Sequence, residues 1–364
     1  MKVLKVGDKV VSVNNQLLSA PNGGGTTPGE PGDITFYDYD GTIVTSWTLA
    51  ELATKTALPD YPSHEGLTCQ GWNWSLEKIH ALTHPMNVGA MYITDDGATR
   101  LHIRIATVGR MTVPLYIGQT VANGVSIDWG DGSTAETLAG TGNVNTSHTY
   151  AEPGDYVISM MPDDGCTLSF GNGSSSYCVM GATGDNGRVY CNMLQEVYIG
   201  KNVTSISNNA FESCYSLASI TIPDGVTSIN ESVFRYCYSL ANVTIPDGVT
   251  SISSYAFQYC YVLSRITIPE GVKYIDSAAF ANCYSLASIT IPDSITYINS
   301  STFANCYGMR YYDFSACTDI PSLVKTNAFN GIPSDCQMLI PEALYDEWST
   351  ATNWSTYANY IVGV

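Results

Sequence analysis

The stretch that decides the fold is CYSLASITIPDGVTSINESVF, residues 214–234. Most of it recurs at a spacing of 23 residues, in copies that begin at Cys237, Cys260 and Cys283. A degenerate copy begins upstream at Leu194, and a decaying one begins at Met309. A fixed period with fixed apolar positions indicates a stack of similar structural units.

Each unit has the pattern of a short strand followed by a turn. Ile220 and Ile222 are predicted on one face of the strand and Thr221 on the other, and Pro-Asp-Gly at 223–225 ends the strand. About eight apolar residues per unit cannot be covered by that unit alone. Neighbours stacked roughly 4.8 Å apart bury them and pair the strands in parallel.

The repeated pattern of Leu, Ile-x-Ile-Pro, Val, Ile, Ala-Phe and Cys across residues 194–309 resembles the BspA-type leucine-rich repeat. The resemblance implies a solenoid, which we place at residues 194–340. The tail, residues 341–364, contains Trp348, Trp354 and a helical ALYDEW stretch, and is predicted to be the C-terminal cap.

Two further modules are predicted before the repeats. In residues 33–97, ITFYDYDG and TIVTSW read as strands, TLAELATKT as a short helix capped by Thr48, LTCQGWNW as a strand and SLEKIHALTHP as a helix. The stretch ALPDYPSHEGLTCQGWNWS resembles the Listeria-Bacteroides repeat, a small β-grasp module of bacterial surface proteins, with an inserted helix before Leu58.

Residues 98–170 read as consecutive strands. IDWGDGS and HTYAEPGDYVIS resemble the PKD domain, a β-sandwich that usually serves as a spacer or as a binder of sugar or protein. Gly130 and Gly132 allow the tight turn, and Trp129 offers a large core anchor. Residues 171–193 are predicted to be a connector and N-terminal cap, so the fold class is mainly β and multidomain.

The N-terminus is set apart by PNGGGTTPGEPG, residues 21–32, a Gly/Pro linker. Residues 1–20 suggest a small hairpin that needs a partner, so we predict a docking peptide, with a disordered tail as the alternative. Its opening lacks the continuous apolar run of a secretory signal. The candidate docking residues are Lys2, Lys5, Lys9, Val10, Val11, Leu17 and Leu18.

Composition narrows the range of partners. Charged residues are 13% of the chain, against roughly 25% in typical soluble domains, and the net charge is -18. Such a field repels phosphate backbones and anionic lipid, so nucleic acid is not an expected partner. The sequence has no apolar run of about 18 residues, so no membrane insertion is expected either.

No residue set forms a recognisable catalytic centre, so we predict no enzyme activity, no cofactor and no metal site. The five cysteines at 23-residue spacing could form a thiol array or a metal ladder, but a packing column explains them better. His80 and His84, with Glu77 one turn earlier, could share a helix face and bind a metal, and a solvated face is the simpler interpretation. The Asp-Gly stretches at 38–41, 130–133 and 163–165 read as turns rather than calcium loops.

The residues predicted to face outward indicate what the protein does. Tyr, Ser and Asn on a surface are typical of adaptable recognition. A tyrosine follows each repeat cysteine, and the alternative role of this column is to stack on itself and stabilise the solenoid. The candidate ligand-binding residues are Tyr215, Tyr238, Tyr261, Tyr284, Tyr307, Tyr236, Tyr255 and Tyr259.

Together these features predict a non-enzymatic adhesion protein. The first hypothesis is a bacteriophage fibre or head-decoration protein on the virion surface. It would dock to a capsid or tail protein through residues 1–20, display the repeats to a host surface protein or glycan, and form a homo-oligomer. The alternatives are a bacterial cell-surface leucine-rich-repeat adhesin and an accessory subunit of a glycan-active enzyme.

Overall fold

The structure, a computed structural model, divides the chain into two units, residues 1–96 and 97–364. The described residues are 3–6, 9–13, 16–17, 34–37, 43–60, 67–72, 79–80, 86–94, 97–170, 177–182 and 188–364.

The first unit begins with a three-stranded antiparallel sheet of β1 (Val3–Val6), β2 (Lys9–Val13) and β3 (Gln16–Leu17). These strands contain the predicted docking residues Lys5, Lys9, Val10, Val11 and Leu17. Lys2, Leu18 and the linker at 21–32 lie outside the described residues. The docking role therefore stays a prediction.

A second sheet in this unit contains β4 (Ile34–Tyr37), β5 (Ile43–Trp47), β6 (Leu67–Trp72) and β7 (Met86–Thr94), in the order β5-β4-β7-β6. The central pair, β4 and β7, is parallel, and both outer pairs are antiparallel. Ile34 and Phe36 are fully buried, and the Phe36 ring centroid lies 4.6 Å from that of Trp47.

The helix predicted from Thr48 is much shorter than expected. It is a single 3-10 turn, Leu52–Thr54, because Lys55 is already extended and ends it. The Thr48 N–H donates to a carboxylate oxygen of Glu51 at 2.9 Å, and this bond closes the turn that precedes the 3-10 helix.

The second unit begins with two sheets that share one core. Its strands are β8 (Thr99–Ile105), β9 (Thr112–Gln119), β10 (Val125–Asp128), β11 (Glu136–Thr137), β12 (Gly142–Thr149), β13 (Gly154–Pro162) and β14 (Leu168–Phe170). One sheet has the order β11-β10-β13-β8 and the other β12-β9-β14. Alternate residues of β8 are buried, as expected for a strand with one face on a core.

The turn after β10 has the backbone that its glycines predict. Gly130 and Gly132 have φ values of 78° and 84°, and a Cβ at Gly130 would lie 2.4 Å from the carbonyl oxygen of Val157. Trp129 is 2% exposed, and the Tyr150 hydroxyl donates to its carbonyl oxygen at 2.8 Å. The sequence-based interpretation of this turn and of its aromatic anchor is confirmed.

Both sheets continue directly into the solenoid. The junction contains β15 (Tyr177–Cys178), β16 (Gly181–Ala182), α1 (Arg188–Cys191), β17 (Leu194–Tyr198) and β18 (Val203–Ile206). β17 pairs antiparallel with β8, and β18 pairs parallel with β14. One hydrophobic core therefore runs from Leu101 to Ile361 without a break between module and repeats.

The solenoid turns form two rows of parallel strands. The strands are β19 (Ser219–Thr221), β20 (Asn242–Thr244), β21 (Ser251–Ile252), β22 (Tyr274–Ile275), β23 (Ser288–Thr290), β24 (Tyr297–Ile298), β25 (Tyr311–Asp313), β26 (Ser322–Leu323), β27 (Gln337–Ile340) and β28 (Ile361–Gly363). One row pairs β17-β19-β20 and then β23-β25-β27-β28, and the other pairs β21-β22-β24-β26.

The predicted inward positions are buried in every turn. Ile220, Ile245 and Ile268 are 4–5% exposed and Ile291 is fully buried, whereas Thr221 is exposed. The fold is therefore mainly β, with a solenoid of about seven turns and a period of about 23 residues, as predicted. No helix among the described residues has the length and apolar character to cross a membrane.

A column of phenylalanines runs through this core. Successive ring centroids are 5.3–5.9 Å apart, in the order Phe170, Phe211, Phe234, Phe257, Phe280, Phe303 and Phe329. The column begins in β14 and ends against the C-terminal cap, where Phe329 contacts Trp354 and Tyr357. It links the two sheets at the start of the second unit, the repeats and the cap.

The cap consists of a 3-10 turn (Glu342–Leu344), α2 (Tyr345–Thr350), a second 3-10 helix (Trp354–Tyr360) and β28. Trp348 and Trp354 are almost fully buried, with ring centroids 5.3 Å apart. The indole N–H of Trp354 donates to the carbonyl oxygen of Pro321 at 2.8 Å, which fixes the cap on the last turns.

The third side of each turn has no strand but a regular backbone. Two residues four positions apart adopt positive φ in each of five consecutive turns, in the pairs 209 and 213, 232 and 236, 255 and 259, 278 and 282, and 301 and 305. Nine of these ten residues, all but Ser301, donate their N–H groups to carbonyl oxygens of the next turn, as from Tyr236 to Gln258 at 2.8 Å. The left-handed backbone therefore recurs with the period of the turns and is compatible with the inter-turn hydrogen bonds.

Candidate functional site

Five tyrosines form a continuous stack along the solenoid, which we call the long ladder. Neighbouring ring centroids are 4.7, 4.7, 4.8 and 5.5 Å apart, with interplanar angles of 7–22°. The members are Tyr215, Tyr238, Tyr261, Tyr284 and Tyr307, of which Tyr284 is 40% and Tyr307 60% exposed. The stacking predicted as an alternative role is therefore present, and ligand binding stays a prediction.

The residue before each ladder tyrosine fixes its direction. The cysteine thiols point into the core, and those of Cys237, Cys260, Cys283 and Cys306 each donate to a phenylalanine carbonyl oxygen of the preceding turn at 3.2 Å. Burial raises the pKa of these thiols, to about 12 for Cys306. These are packing residues with a hydrogen-bonding role, and the disulfide in the described residues joins Cys178 to Cys191.

Stacking decides which atoms of the long ladder can meet a ligand. The faces of neighbouring rings cover each other, so ring edges and hydroxyl groups form the outer surface. The Tyr307 hydroxyl donates to the side-chain oxygen of Asn305 at 3.1 Å. The ladder therefore offers a row of hydrogen-bonding groups rather than a row of open aromatic faces.

A short ladder lies beside the long one. Tyr236 and Tyr259 stack with centroids 4.9 Å apart. Each is nearly perpendicular to its long-ladder neighbour: Tyr236 lies 6.2 Å from Tyr238, and Tyr259 lies 6.0 Å from Tyr261. The structure thus brings the two predicted tyrosine sets together on one surface.

Arg235 organises the end of the short ladder. Its guanidinium carbon lies 4.6 Å from the Tyr236 ring centroid and 5.2 Å from that of Tyr255. Its Nε donates to the side-chain oxygen of Gln258 at 2.8 Å, and a terminal nitrogen lies 3.8 Å from a Glu212 carboxylate oxygen. Glu212 is largely buried, so the charges of this pair balance locally.

The sequence analysis missed Arg235, Gln258 and Glu212 as members of this cluster. They occupy one position in three successive turns, 23 residues apart, so the period itself brings them together. A third stacked pair was also missed: the rings of Tyr274 and Tyr297 lie 5.2 Å apart at 4°. Tyr274 lies in β22 and Tyr297 lies in β24, away from the two ladders.

The other sequence candidates form no shared site. His80 Nε2 lies 3.1 Å from the carbonyl oxygen of Lys55, while Glu77 and His84 lie outside the described residues. Within the parts of the chain that the structure describes, no group of three or more His, Cys, Asp or Glu side chains could hold a metal. Asp131 accepts bonds from the Ser133 N–H at 3.0 Å and from His148 at 2.7 Å, as a turn residue.

Comparison with known families defines the repeats. Residues 185–310 match the BspA type leucine rich repeat region in six copies. This segment, about a third of the chain, is similar to that repeat family. The match contains the long ladder up to Tyr307 and all of the Arg235 neighbourhood. No curated protein matches the chain.

Solved leucine-rich repeat structures are similar to part of the chain. A protein from Bacteroides ovatus is 28% identical, over 54% of this chain and 46% of that one, with a TM-score of 0.38. The T. pallidum protein TpLRR is 23% identical, over 42% and 80%, with a TM-score of 0.32. The pneumococcal vaccine antigen PcpA is 14% identical, over 46% and 40%, with a TM-score of 0.36. The chain spans about half the length of the B. ovatus protein.

Proposed function

We propose that this protein is a non-enzymatic recognition protein of a bacterial cell surface, and that its two tyrosine ladders contact the ligand. The observation that carries the proposal is the long ladder, five tyrosines that place their edges and hydroxyl groups along one side of a BspA-type solenoid. Tyrosine contributes contact area with little rotamer entropy to lose, so such a surface suits adaptable binding.

Surface chemistry supports recognition over catalysis. The chain is poor in charge, and the ladder neighbourhood presents Tyr, Ser and Asn side chains that both donate and accept hydrogen bonds. Solenoids supply extended surfaces because each turn adds one more copy of the same outward positions. We expect the partner to be a host surface protein or glycan.

The remaining modules fit the role of spacers between the attachment point and the repeats. The sheet order β5-β4-β7-β6 with its parallel centre supports a β-grasp-like module. The two sheets of residues 98–170 support a PKD-like sandwich. The disulfide between Cys178 and Cys191 favours an oxidising compartment, as at a cell surface.

Attachment through residues 1–20 is common to this proposal and to the virion hypothesis, which differ in where the protein is located. The three short strands there are compatible with docking to another protein, on a cell surface or on a phage particle. Following the full chain in cell-wall fractions and in purified particles separates the two locations. Deleting residues 1–20 then tests whether this segment makes the attachment. Recovery with particles alone would overturn the cell-surface assignment.

Recognition by the ladder is tested by removing hydroxyl groups while keeping the rings. Replacing all five long-ladder tyrosines by phenylalanine preserves stacking, so the fold is expected to persist. Adherence of the purified full chain to host cells should fall at least tenfold. The matched control is the double variant Tyr274→Phe and Tyr297→Phe, which removes hydroxyl groups from a stacked pair elsewhere. Equal adherence of wild type, the five-site variant and the double variant would contradict the proposal.

A further inference from the structure

The solenoid contains its own internal comparison. Equivalent positions of successive turns have the same backbone conformation, so a side chain that differs from its column is not required by that conformation. The two left-handed columns hold mostly small residues. The first column is Asn209, Ser232, Tyr255, Ala278 and Ser301, and the second is Ser213, Tyr236, Tyr259, Asn282 and Asn305.

Three tyrosines depart from these columns at a conformational cost. A positive φ favours Gly, Asn and Asp, and it disfavours bulky side chains. Tyr236, Tyr255 and Tyr259 have φ values of 63°, 62° and 65°. Their neighbours in the same columns show that Ser and Asn satisfy the same backbone. The tyrosines are therefore retained against local preference, which is typical of a functional position.

Two of the three tyrosines contact one arginine, and the third stacks on one of those two. The Arg235 guanidinium contacts the rings of Tyr236 and Tyr255, and Tyr259 stacks on Tyr236. Gln258 holds the guanidinium plane by its 2.8 Å hydrogen bond. We name these five residues, Arg235, Tyr236, Tyr255, Gln258 and Tyr259, the Arg235 cluster.

We propose that the Arg235 cluster binds a neutral oligosaccharide. The assignment rests on the recognition role proposed above and names its ligand class. Tyrosine hydroxyls, the Gln258 amide and the remaining guanidinium N–H groups offer donors and acceptors at close spacing, as a hydroxyl-rich ligand requires. An aromatic face next to such groups packs on the apolar C–H face of a sugar ring.

The ring that we assign to this contact is that of Tyr259, which is partly exposed at the end of the short ladder. The next residue in its column is Asn282, which has no ring, so the short ladder ends at Tyr259. Among the described residues, the rings that contact Tyr259 are those of Tyr236 and Tyr261. Tyr236 occupies one face and Tyr261 meets the ring edge-on, so the second face lacks an aromatic neighbour.

Electrostatics favours a neutral ligand. The Arg235 charge is balanced by the largely buried Glu212, and the net charge of -18 repels polyanions. A peptide that binds by strand addition would need an open strand edge. The N–H groups of Tyr236, Tyr255 and Tyr259 are already bonded to the next turn, so the cluster has no edge to offer.

The test measures binding of the full chain to neutral hexasaccharides of glucose, mannose, galactose and N-acetylglucosamine. Oligogalacturonate and a tyrosine-free peptide library serve as competing classes. Wild type is expected to bind at least one neutral probe. Tyr259→Asn and Tyr255→Ser, which restore residues found elsewhere in each column, should weaken that binding at least tenfold. Their unfolding midpoints should equal or exceed that of wild type.

The matched control is Tyr297→Ser. It also removes a stacked tyrosine and restores its own column, which holds Ser228 and Ser251, but its backbone is an ordinary strand that accepts tyrosine. Binding should be unchanged in this variant.

The assignment is overturned if no neutral probe binds wild type, or if only the acidic or peptide probes bind. It is also overturned if Tyr259→Asn keeps full affinity, or lowers the unfolding midpoint more than Tyr297→Ser does. Cell adherence that persists without any neutral-sugar binding would remove this inference and leave the proposed recognition function intact. If the wild-type protein did not adhere to host cells at all, the proposed recognition function would be overturned as well.

Discussion

Truncating one ring in the middle of the phenylalanine column should weaken the whole second unit. Phe257 is fully buried and lies 5.3 Å from both Phe234 and Phe280. Phe257→Ala removes the ring from a core that cannot collapse freely, because the inter-turn hydrogen bonds hold the spacing of the turns. Such truncations cost about 3–5 kcal/mol of unfolding free energy. We expect a value in that range.

The assay is denaturant unfolding followed by far-ultraviolet circular dichroism, combined with hydrogen exchange resolved along the chain. Because each turn contacts only its neighbours, protection should fall most in the turns around residue 257 and less toward the sandwich and the cap. Phe257→Leu is the control, since it keeps most of the volume and should cost about 1.5 kcal/mol or less. A loss below about 1 kcal/mol for the alanine variant, with even protection along the chain, would refute the reasoning.

Three other outcomes follow from single contacts. Cys260→Ala removes one of two donors to the buried carbonyl oxygen of Phe234, which keeps its bond from the Cys237 N–H, so unfolding free energy should fall by about 0.5–1.5 kcal/mol in the same assay. A thiol reagent should leave Cys260 of the native wild type unmodified. Gly130→Ala meets both a positive φ and the Val157 carbonyl, so its unfolding midpoint should drop, whereas a Gly→Ala change at a compatible surface position should leave the midpoint unchanged or raise it. Desolvation raises the pKa of Asp131, but hydrogen bonds from Ser133 and His148 lower it more, to about 2. Because this pKa lies below its ordinary value, the carboxylate stabilises the fold above about pH 4 and that contribution is lost as the pH falls toward 2, so Asp131→Asn should flatten acid unfolding over this window.

The repeat architecture was predictable because one pattern fixes it several times over. The 23-residue spacing of Cys237 and its equivalents sets the length of a turn, and the Ile-x-Ile-Pro motif sets which side is inward. The outward direction of the ladder tyrosines follows from the buried cysteine before each of them. The GDG turn after β10 was equally readable, since only glycine accepts its backbone easily.

The remaining features depend on contacts that the local sequence pattern does not indicate. Pairing of β8 with β17 joins segments about 95 residues apart, and neither strand has a residue type that names its partner. The left-handed conformation at Tyr236, Tyr255 and Tyr259 was hidden because tyrosine normally signals an ordinary strand. Asn at the equivalent positions 282 and 305 was the available clue. The helix expected from Thr48 failed because its amphipathic pattern was too short to outweigh the early extended residue at Lys55.

The direction of the inter-turn hydrogen bonds has a mechanical consequence. They run along the stacking axis, so a load applied at the two ends of the second unit pulls them open in series rather than shearing many at once. Each turn that yields releases about 23 residues, roughly 75 Å of extended chain. A tethered molecule of this kind would lengthen in equal steps under tension, and the turn next to the weaker end would be the first to open.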